Sequence, residues 1–247
     1  MRTIRILDLF AVAALVPLTA AADTVLTSKS HTDAFSIMGR QQPAEDRTIQ
    51  TWLGDDRMAR LGDTTDIIVR LDQKKLYLVN HDDKTFSSID LPVDLKKIVP
   101  PEMAQVMEQM AGMMKMDATV TPTDETQKIG EWNARKYLVA VNAMGMKMDI
   151  ESWHSKDVAV NYGALKQLAE NRAALQPQGG DWIRKIAEIE GYPVRQTVTM
   201  TLMRSPMRSS QELVSVDEKA APAGTYEVPA GYTEKAYNPM EQGQQRR

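Results

Sequence analysis

The chain has 247 residues, 30 Lys and Arg against 33 Asp and Glu, 43% hydrophobic residues and no cysteine. The lack of cysteine excludes disulfides, thiolate metal centres and the cysteine-anchored processing of bacterial lipoproteins, so the fold rests on its core alone. The mildly acidic balance shows no Lys/Arg run longer than a pair, the terminal Arg246-Arg247 included, which argues against a nucleic-acid partner.

The N-terminus has the pattern of a secretory signal peptide. Arg2 and Arg5 precede a mostly apolar run from Ile6 to Leu18, and Ala20-Ala21-Ala22 offers a small-residue cleavage site. The run is shorter than the ~20 residues of a spanning helix, and no other segment approaches that length. Export is therefore expected, to the periplasm of a Gram-negative host, with cleavage after Ala22 and no transmembrane segment in the mature chain. Removal of residues 1–22 leaves 28 basic against 32 acidic residues, a net charge near −4. The remaining length suits one large domain, expected over 23–236 and followed by a polar disordered tail over 237–247.

Short runs with period-two alternation follow. "DTVLTSKSH", "RTIQTWLG" and "DRMARLG" lead to "DIIVRLD", in which Ile67, Val69 and Leu71 share a face. Turns at Gln73-Lys74 and at His81-Asp82-Asp83-Lys84 join this run to "KLYLVNH" and "TFSSID". Turns this tight connect antiparallel neighbours, so the stretch reads as a meander.

Pro100-Pro101 then opens "EMAQVMEQMAGMMKM". Proline suits a first helical turn. Met103, Val106, Met107, Met110, Met113 and Met114 recur at helical spacing opposite Glu102, Gln105, Glu108 and Gln109, which predicts an amphipathic helix faced with methionine.

Strands resume with "DATVTPTDETQKIG". "ARKYLVAVN" and "MGMKMDIESWH" are expected to form a hairpin through Asn142-Ala143. Met144, Met146, Met148 and Ile150 would share one face, with Lys147, Asp149, Glu151 and Trp153 on the other. Residues 162–190 read as helical, with a break at "QPQGG", Asp181 as N-cap candidate and Gly191 as stop signal. In "PVRQTVTMTLMR", Val194, Val198, Met200 and Leu202 alternate with Arg195 and three threonines. "SSQELVSVDEK" and "APAGTYEVPAGYTEK" close the chain. The expected plan is a mostly β (α+β) fold. A curved antiparallel sheet of ten to twelve strands forms an open half-barrel, and helices inserted after about the sixth and tenth strands cover its concave face.

The block "TWLGDDRMAR…DIIVRLDQKKLYLVNHDDKTFSSID", with "QKIGEWNARKYLV", "GYPV" and "YEVPAGY" further on, resembles a secreted bacterial family, domain of unknown function 4412. The resemblance spans most of residues 45–233 and rests on strand-and-turn patterning. That family is similar in architecture to lipoprotein carriers and receptors of the LolA/LolB type, open barrels whose helices cover a hydrophobic cavity. The resemblance implies that fold and transfers no functional residue, because fold does not fix function.

No catalytic motif stands out. His31, His81 and His154 lie in a turn or at strand ends, and none has metalloprotease spacing, so all three read as exposed structural residues. The carboxylates of "GDD" and "HDDK" fit turn chemistry. The four tryptophans, Trp52, Trp132, Trp153 and Trp182, read as strand anchors or rim residues. No cofactor, no metal centre and no enzymatic activity are expected.

The methionines admit three readings. There are 16 of them against three phenylalanines, and methionine is flexible, polarisable and favoured on adaptable apolar surfaces. In the leading reading, Met107, Met110, Met114, Met146, Met148 and Met200 line a cavity for a lipid or other apolar ligand. In the second they fill a closed core, and the protein is an interaction or structural module without a small ligand. In the third, thioethers bind Cu(I). Methionines two apart on one strand stand ~6.5–7 Å apart, too far for one ion to bridge, so this reading requires a second element.

Overall fold

The computed structural model describes residues 22–37, 40–102, 104–106, 109, 116–143, 146–175, 180–202 and 205–238. The alternating runs become strands close to where the pattern places them. They are β1 (Asp23–Thr32), β2 (Phe35–Ile37), β3 (Arg40–Gln42), β4 (Glu45–Leu53), β5 (Arg57–Leu61), β6 (Thr65–Arg70), β7 (Lys75–Asn80) and β8 (Thr85–Asp90). After the short helix α1 (Leu95–Ile98) come β9 (Asp117–Ile129), β10 (Trp132–Ala143) and β11 (Met146–Ser155). Two helices follow, α2 (Tyr162–Ala174) and α3 (Asp181–Ala187). The chain then forms β12 (Tyr192–Leu202), β13 (Ser205–Lys219) and β14 (Thr233–Glu234).

Twelve strands form one open sheet in the order β14-β8-β7-β6-β5-β4-β1-β13-β12-β11-β10-β9, and β2 and β3 make a separate hairpin. The pairings are antiparallel except for β14, which runs parallel to β8. The meander from β4 to β8 is as expected. Lys74 and Lys84 take positive φ, at 54° and 52°, to close its last two turns. The helices enter after the eighth and eleventh strands, later than expected, because the short strands β2 and β3 stand between the first two expected strands. Asn142 and Ala143, expected to form the turn of the β10–β11 hairpin, belong instead to β10, paired with Lys147 and Met146. The sheet's outer edge at β9 carries Pro122, Asp124, Glu125 and Lys128, which blunt it against edge-to-edge pairing.

Three apolar clusters hold these layers. The first joins Leu26, Leu53, Met58, Val69, Leu76, Trp132, Trp153 and Leu213 to Leu95 and Ile98 of α1 and Leu165 and Leu168 of α2. The second lies on the opposite side of β1 and β4–β7, where Val25, Trp52, Ala59, Ile68 and Val79 meet Tyr226, Val228 and Tyr232 from the segment after β13. Consecutive residues such as Trp52-Leu53 and Ile68-Val69 are therefore both buried. The third cluster combines Ala118, Val139, Val141 and Ile150 with Met146, Met148 and Val198, and Trp182 and Ile186 of α3 pack on it.

The helix ends follow local chemistry. Asn161 caps α2 by accepting from the Ala164 amide at 3.1 Å. Asp181 is the first residue of α3 and Gly180 its cap. A Cβ at Gly180 would lie 2.3 Å from the Ala173 backbone, so only glycine lets the start of α3 approach α2 this closely. Tyr237, assigned from sequence to the tail, is 7% exposed and belongs to the first cluster.

Candidate functional site

The methionine face is assembled by strand register. Met148 on β11 stands opposite Val141 on β10 and Met200 on β12, and Met200 stands opposite Met207 on β13. With Ala118 opposite Val141, one row of the sheet reads Ala118, Val141, Met148, Met200, Met207. The adjacent row on the same face reads Val120, Val139, Ile150, Val198, Ser209. Residues in register on neighbouring strands point to the same side, so this is a continuous apolar strip five strands wide.

Of the six candidate lining residues, Met146, Met148 and Met200 are half-buried on this face. Met107, Met110 and Met114 lie outside the described residues, as do Met103, Met113 and Met144. The predicted helix is present at Pro101, Glu102, Ala104, Gln105, Val106 and Gln109. Glu102, Gln105 and Gln109 are exposed as expected, but Val106, assigned to the apolar stripe, is 47% exposed. Met207 was not among the sequence candidates; only the register brings it in.

Beyond Ile150 the same face turns polar. The next row is Pro122, Tyr137, Ser152, Gln196, Gln211. His154 follows on β11 and is 6% exposed, which corrects its reading as an exposed strand-end residue. Its ring lies edge-on to Tyr137, with centroids 5.4 Å apart. His154 Nδ1 is 3.2 Å from the Gly191 carbonyl oxygen, and Nε2 is 2.8 Å from Ser152 Oγ. A carbonyl only accepts, so Nδ1 carries the proton and Nε2 accepts from the Ser152 hydroxyl. Gln196 Nε2 donates to Ser152 Oγ at 2.9 Å. Burial strips the imidazolium of water and pushes the His154 pKa down to about 4, against the small upward pull of the Gly191 carbonyl.

A hydroxyl donating to a neutral imidazole is the first half of a nucleophile–base pair. Here Ser152 is 0% exposed, both of its polar contacts are to protein groups, and a backbone carbonyl stands behind the histidine where a carboxylate would hold an imidazolium. The arrangement seals a polar seam at the end of the apolar strip.

Register shifts at Arg135/Tyr137 and at Trp153/His154 bracket this seam. Bulges re-aim side chains and strengthen local twist, and a cleft of about 480 Å³ opens beside His154, between Tyr137, Arg135, Lys128 and Lys156. The cleft is polar and several of its charges are already matched. Lys156 pairs with Glu190, and Asn133 donates its backbone N–H and its Nδ2 to Asp157, both at 3.0 Å. Among the described residues no group of three or more His, Asp or Glu side chains could hold a metal ion.

Gly191 closes the seam. Its φ is +89°, and a Cβ there would lie 2.6 Å from the Ser155 carbonyl oxygen. Gly191→Ala is expected to destabilise the fold by at least about 2 kcal/mol, through left-handed backbone strain plus that clash. Urea unfolding measures it, and a loss below about 0.5 kcal/mol would contradict this account of the glycine.

The other two histidines also have partners. His31 is exposed, as expected, and is bonded to Asp46 at 2.8 Å and Asp33 at 3.1 Å. His81 bonds the buried Asp66 at 2.9 Å through Nε2 and Tyr232 Oη at 2.8 Å through Nδ1. This link, with the Thr233 amide on the Lys84 carbonyl at 3.0 Å and the Lys235 amide on the Phe86 carbonyl at 2.8 Å, straps the C-terminal segment across the second cluster.

Sequence reasoning passed over the Ser152–His154 seam. A usable signal was present, because Ser152 and His154 continue the parity of Met146, Met148 and Ile150 and so point to the same side. For His81, Asp66 and Tyr232 no local signal exists, since Tyr232 lies 151 residues from His81.

Fold and site together define a class: an open, mostly β protein built on one large curved antiparallel sheet, strapped on one face by its C-terminal segment and covered elsewhere by short helices. Within that class the chain belongs to the family described as domain of unknown function DUF4412, whose model matches residues 47–232. No curated protein matches it. It is similar to a solved structure titled "Structure of PNGF-II in C2 space group", at 15% identity and a TM-score of 0.41. That match covers 87% of this chain and 31% of the other. No helix among the described residues is long and apolar enough to cross a membrane.

Proposed function

We propose that this protein is an exported, non-enzymatic binder of an apolar or acyl-type ligand, held against the methionine strip in the manner of a LolA/LolB-like half-barrel. The observation that carries the reading is the five-strand row Ala118, Val141, Met148, Met200, Met207, whose three methionines are half-buried rather than sealed. Flexible thioether side chains accept aliphatic chains without a fixed shape. Each buried CH₂ of a ligand contributes roughly 0.8 kcal/mol before ordering costs. In this reading the helical segment seen at Pro101, Glu102, Ala104, Gln105, Val106 and Gln109 supplies the remaining wall. Export is supported by β1 beginning at Asp23, directly after the expected cleavage site. The enclosure of Ser152 argues against its use as a nucleophile.

Native mass spectrometry of protein purified from the exported fraction without detergent tests the reading. A bound mass that is removed by organic extraction and restored by a lipid extract is expected. Met148→Asp with Met200→Asp should lower retention at least tenfold while the far-ultraviolet spectrum stays that of a β-sheet. A clean unliganded mass, unchanged by incubation with the extract, would overturn it.

A further inference from the structure

The strip that lines the proposed ligand face also holds three sulfur donors in one line. Met148, Met200 and Met207 come from three adjacent strands and are direct cross-strand partners in sequence. Neighbouring strands lie ~4.8 Å apart, closer than the ~6.5–7 Å between inward residues along one strand. Each methionine has three rotatable side-chain bonds. The central Met200 can therefore meet a sulfur from either side around a shared atom without any change of backbone. This supplies the second element that methionines along a single strand lack.

The surroundings select the ion. The row continues into Val141 and Ala118, and the adjacent row on one side offers Val139, Ile150 and Val198. Met146 lies opposite Leu202 in the row on the other side. The charged neighbours Lys147, Asp149 and Arg208 alternate onto the opposite face of their strands. Neutral thioethers without a carboxylate or imidazole suit a soft monovalent cation and offer little to Zn²⁺, Ca²⁺ or Mg²⁺, which require nitrogen, thiolate or oxygen ligands. All three methionines are half-buried, so an ion reaches them from solvent and is partly desolvated once bound.

We infer that Met148, Met200 and Met207 form a three-thioether site for a soft monovalent cation, Cu(I) or its redox-inert analogue Ag(I). Binding involves no electron transfer; the ion exchanges water or a carrier ligand for three sulfurs. The inference does not depend on the apolar-ligand reading. Replacing methionine by leucine keeps the apolar surface and volume but deletes the donor, so the two fail separately.

The test is a titration of the full chain, carrying ¹³C-methyl methionine, with Ag(I), and with Cu(I) against a colorimetric Cu(I) chelator. One equivalent is expected to bind and to shift three methionine methyl resonances, assigned by the single variants Met148→Leu, Met200→Leu and Met207→Leu. Met200→Leu, which removes the shared donor, should weaken binding at least tenfold. The triple variant should weaken it at least a hundredfold while still retaining any apolar ligand bound by the unmodified protein. Met58→Leu, in the first cluster, should leave affinity unchanged. The inference is overturned if the ion shifts methionines outside this row and leaves these three in place, if the triple variant binds Ag(I) with unchanged affinity, or if no ion binds at stoichiometric concentration.

Discussion

Trp52→Ala is expected to cost about 3–5 kcal/mol, the range for deleting a large aromatic side chain from a packed interior. Trp52 is 3% exposed and stands at the centre of the second cluster, among Val25, Ala59, Ile68 and Val79 under Tyr226. Its ring also carries Lys219 Nζ at 5.3 Å from the centroid. Truncation removes the floor on which the C-terminal strap rests. The strap's other ties include Arg70 Nη1 on the Tyr226 carbonyl at 3.3 Å, Tyr232 on His81, and the Thr233 and Lys235 amides on the Lys84 and Phe86 carbonyls, all of them polar hydrogen bonds. They contribute about 1 kcal/mol each by the usual measure of a hydrogen bond and do not hold the strap down alone. The variant should therefore melt about 10 °C lower, at the roughly 2–4 °C per kcal/mol of a chain this size. Residues 220–238 should also become sensitive to protease below that temperature. Leu138→Ala, at a residue 43% exposed, is the control and should stay within about 0.5 kcal/mol. A Trp52→Ala loss below about 1 kcal/mol would show that the strap and not the tryptophan organises this face.

The strands were legible because they obey a local rule. A residue pattern of period two states which side chains share a face, and the "DQKK" and "HDDK" turns are short enough to force antiparallel neighbours. The family motifs were legible as sequence but not as structure. "TWLG" and "YEVPAGY" meet across the second cluster, and "GYPV" places Gly191 under His154, contacts that span 37 to about 175 residues. Local periodicity carries no information at such separations, so the second covered face of β1 and β4–β7 went unread. The methionine site divides in the same way. Met146, Met148 and Met200 were found by alternation within single strands. Met207 was missed because its place beside Met200 depends on the register of β12 against β13. The histidine was missed for another reason. Polar residues at a strand end read as exposed by composition, while the parity of β11 made Ser152 and His154 inward-facing from the outset. Where composition and parity disagree on a strand, the buried polar group needs a partner, and Gln196 and the Gly191 carbonyl are those partners.

His154 should set part of the protein's acid sensitivity. Its pKa is about 4 in the folded chain against 6.5 when exposed, so above pH 6.5 the group is neutral in both states and stability does not depend on it. Between pH 6.5 and about 4 the unfolded chain takes up a proton that the folded chain refuses, and stability falls as the pH is lowered. Below about pH 4 the folded state is protonated as well, and the loss levels off. The full span corresponds to about 3 kcal/mol, at 1.36 kcal/mol per pKa unit. Carboxylates titrate over part of this window in any variant, so the informative quantity is a difference. His154→Gln is expected to be less stable than the unmodified chain at pH 7.5, because Ser152 loses its acceptor and the Gly191 carbonyl its donor. It should then lose less than the unmodified chain on acidification, so that the gap between the two narrows by about 3 kcal/mol by pH 4. Urea unfolding at half-unit pH steps gives both curves. A gap that stays constant from pH 7.5 to pH 4 would mean that water reaches the imidazole and that the seam beside the apolar strip is open. A gap that narrows as described makes the seam a dry boundary, with the apolar strip on one side and the polar cleft on the other.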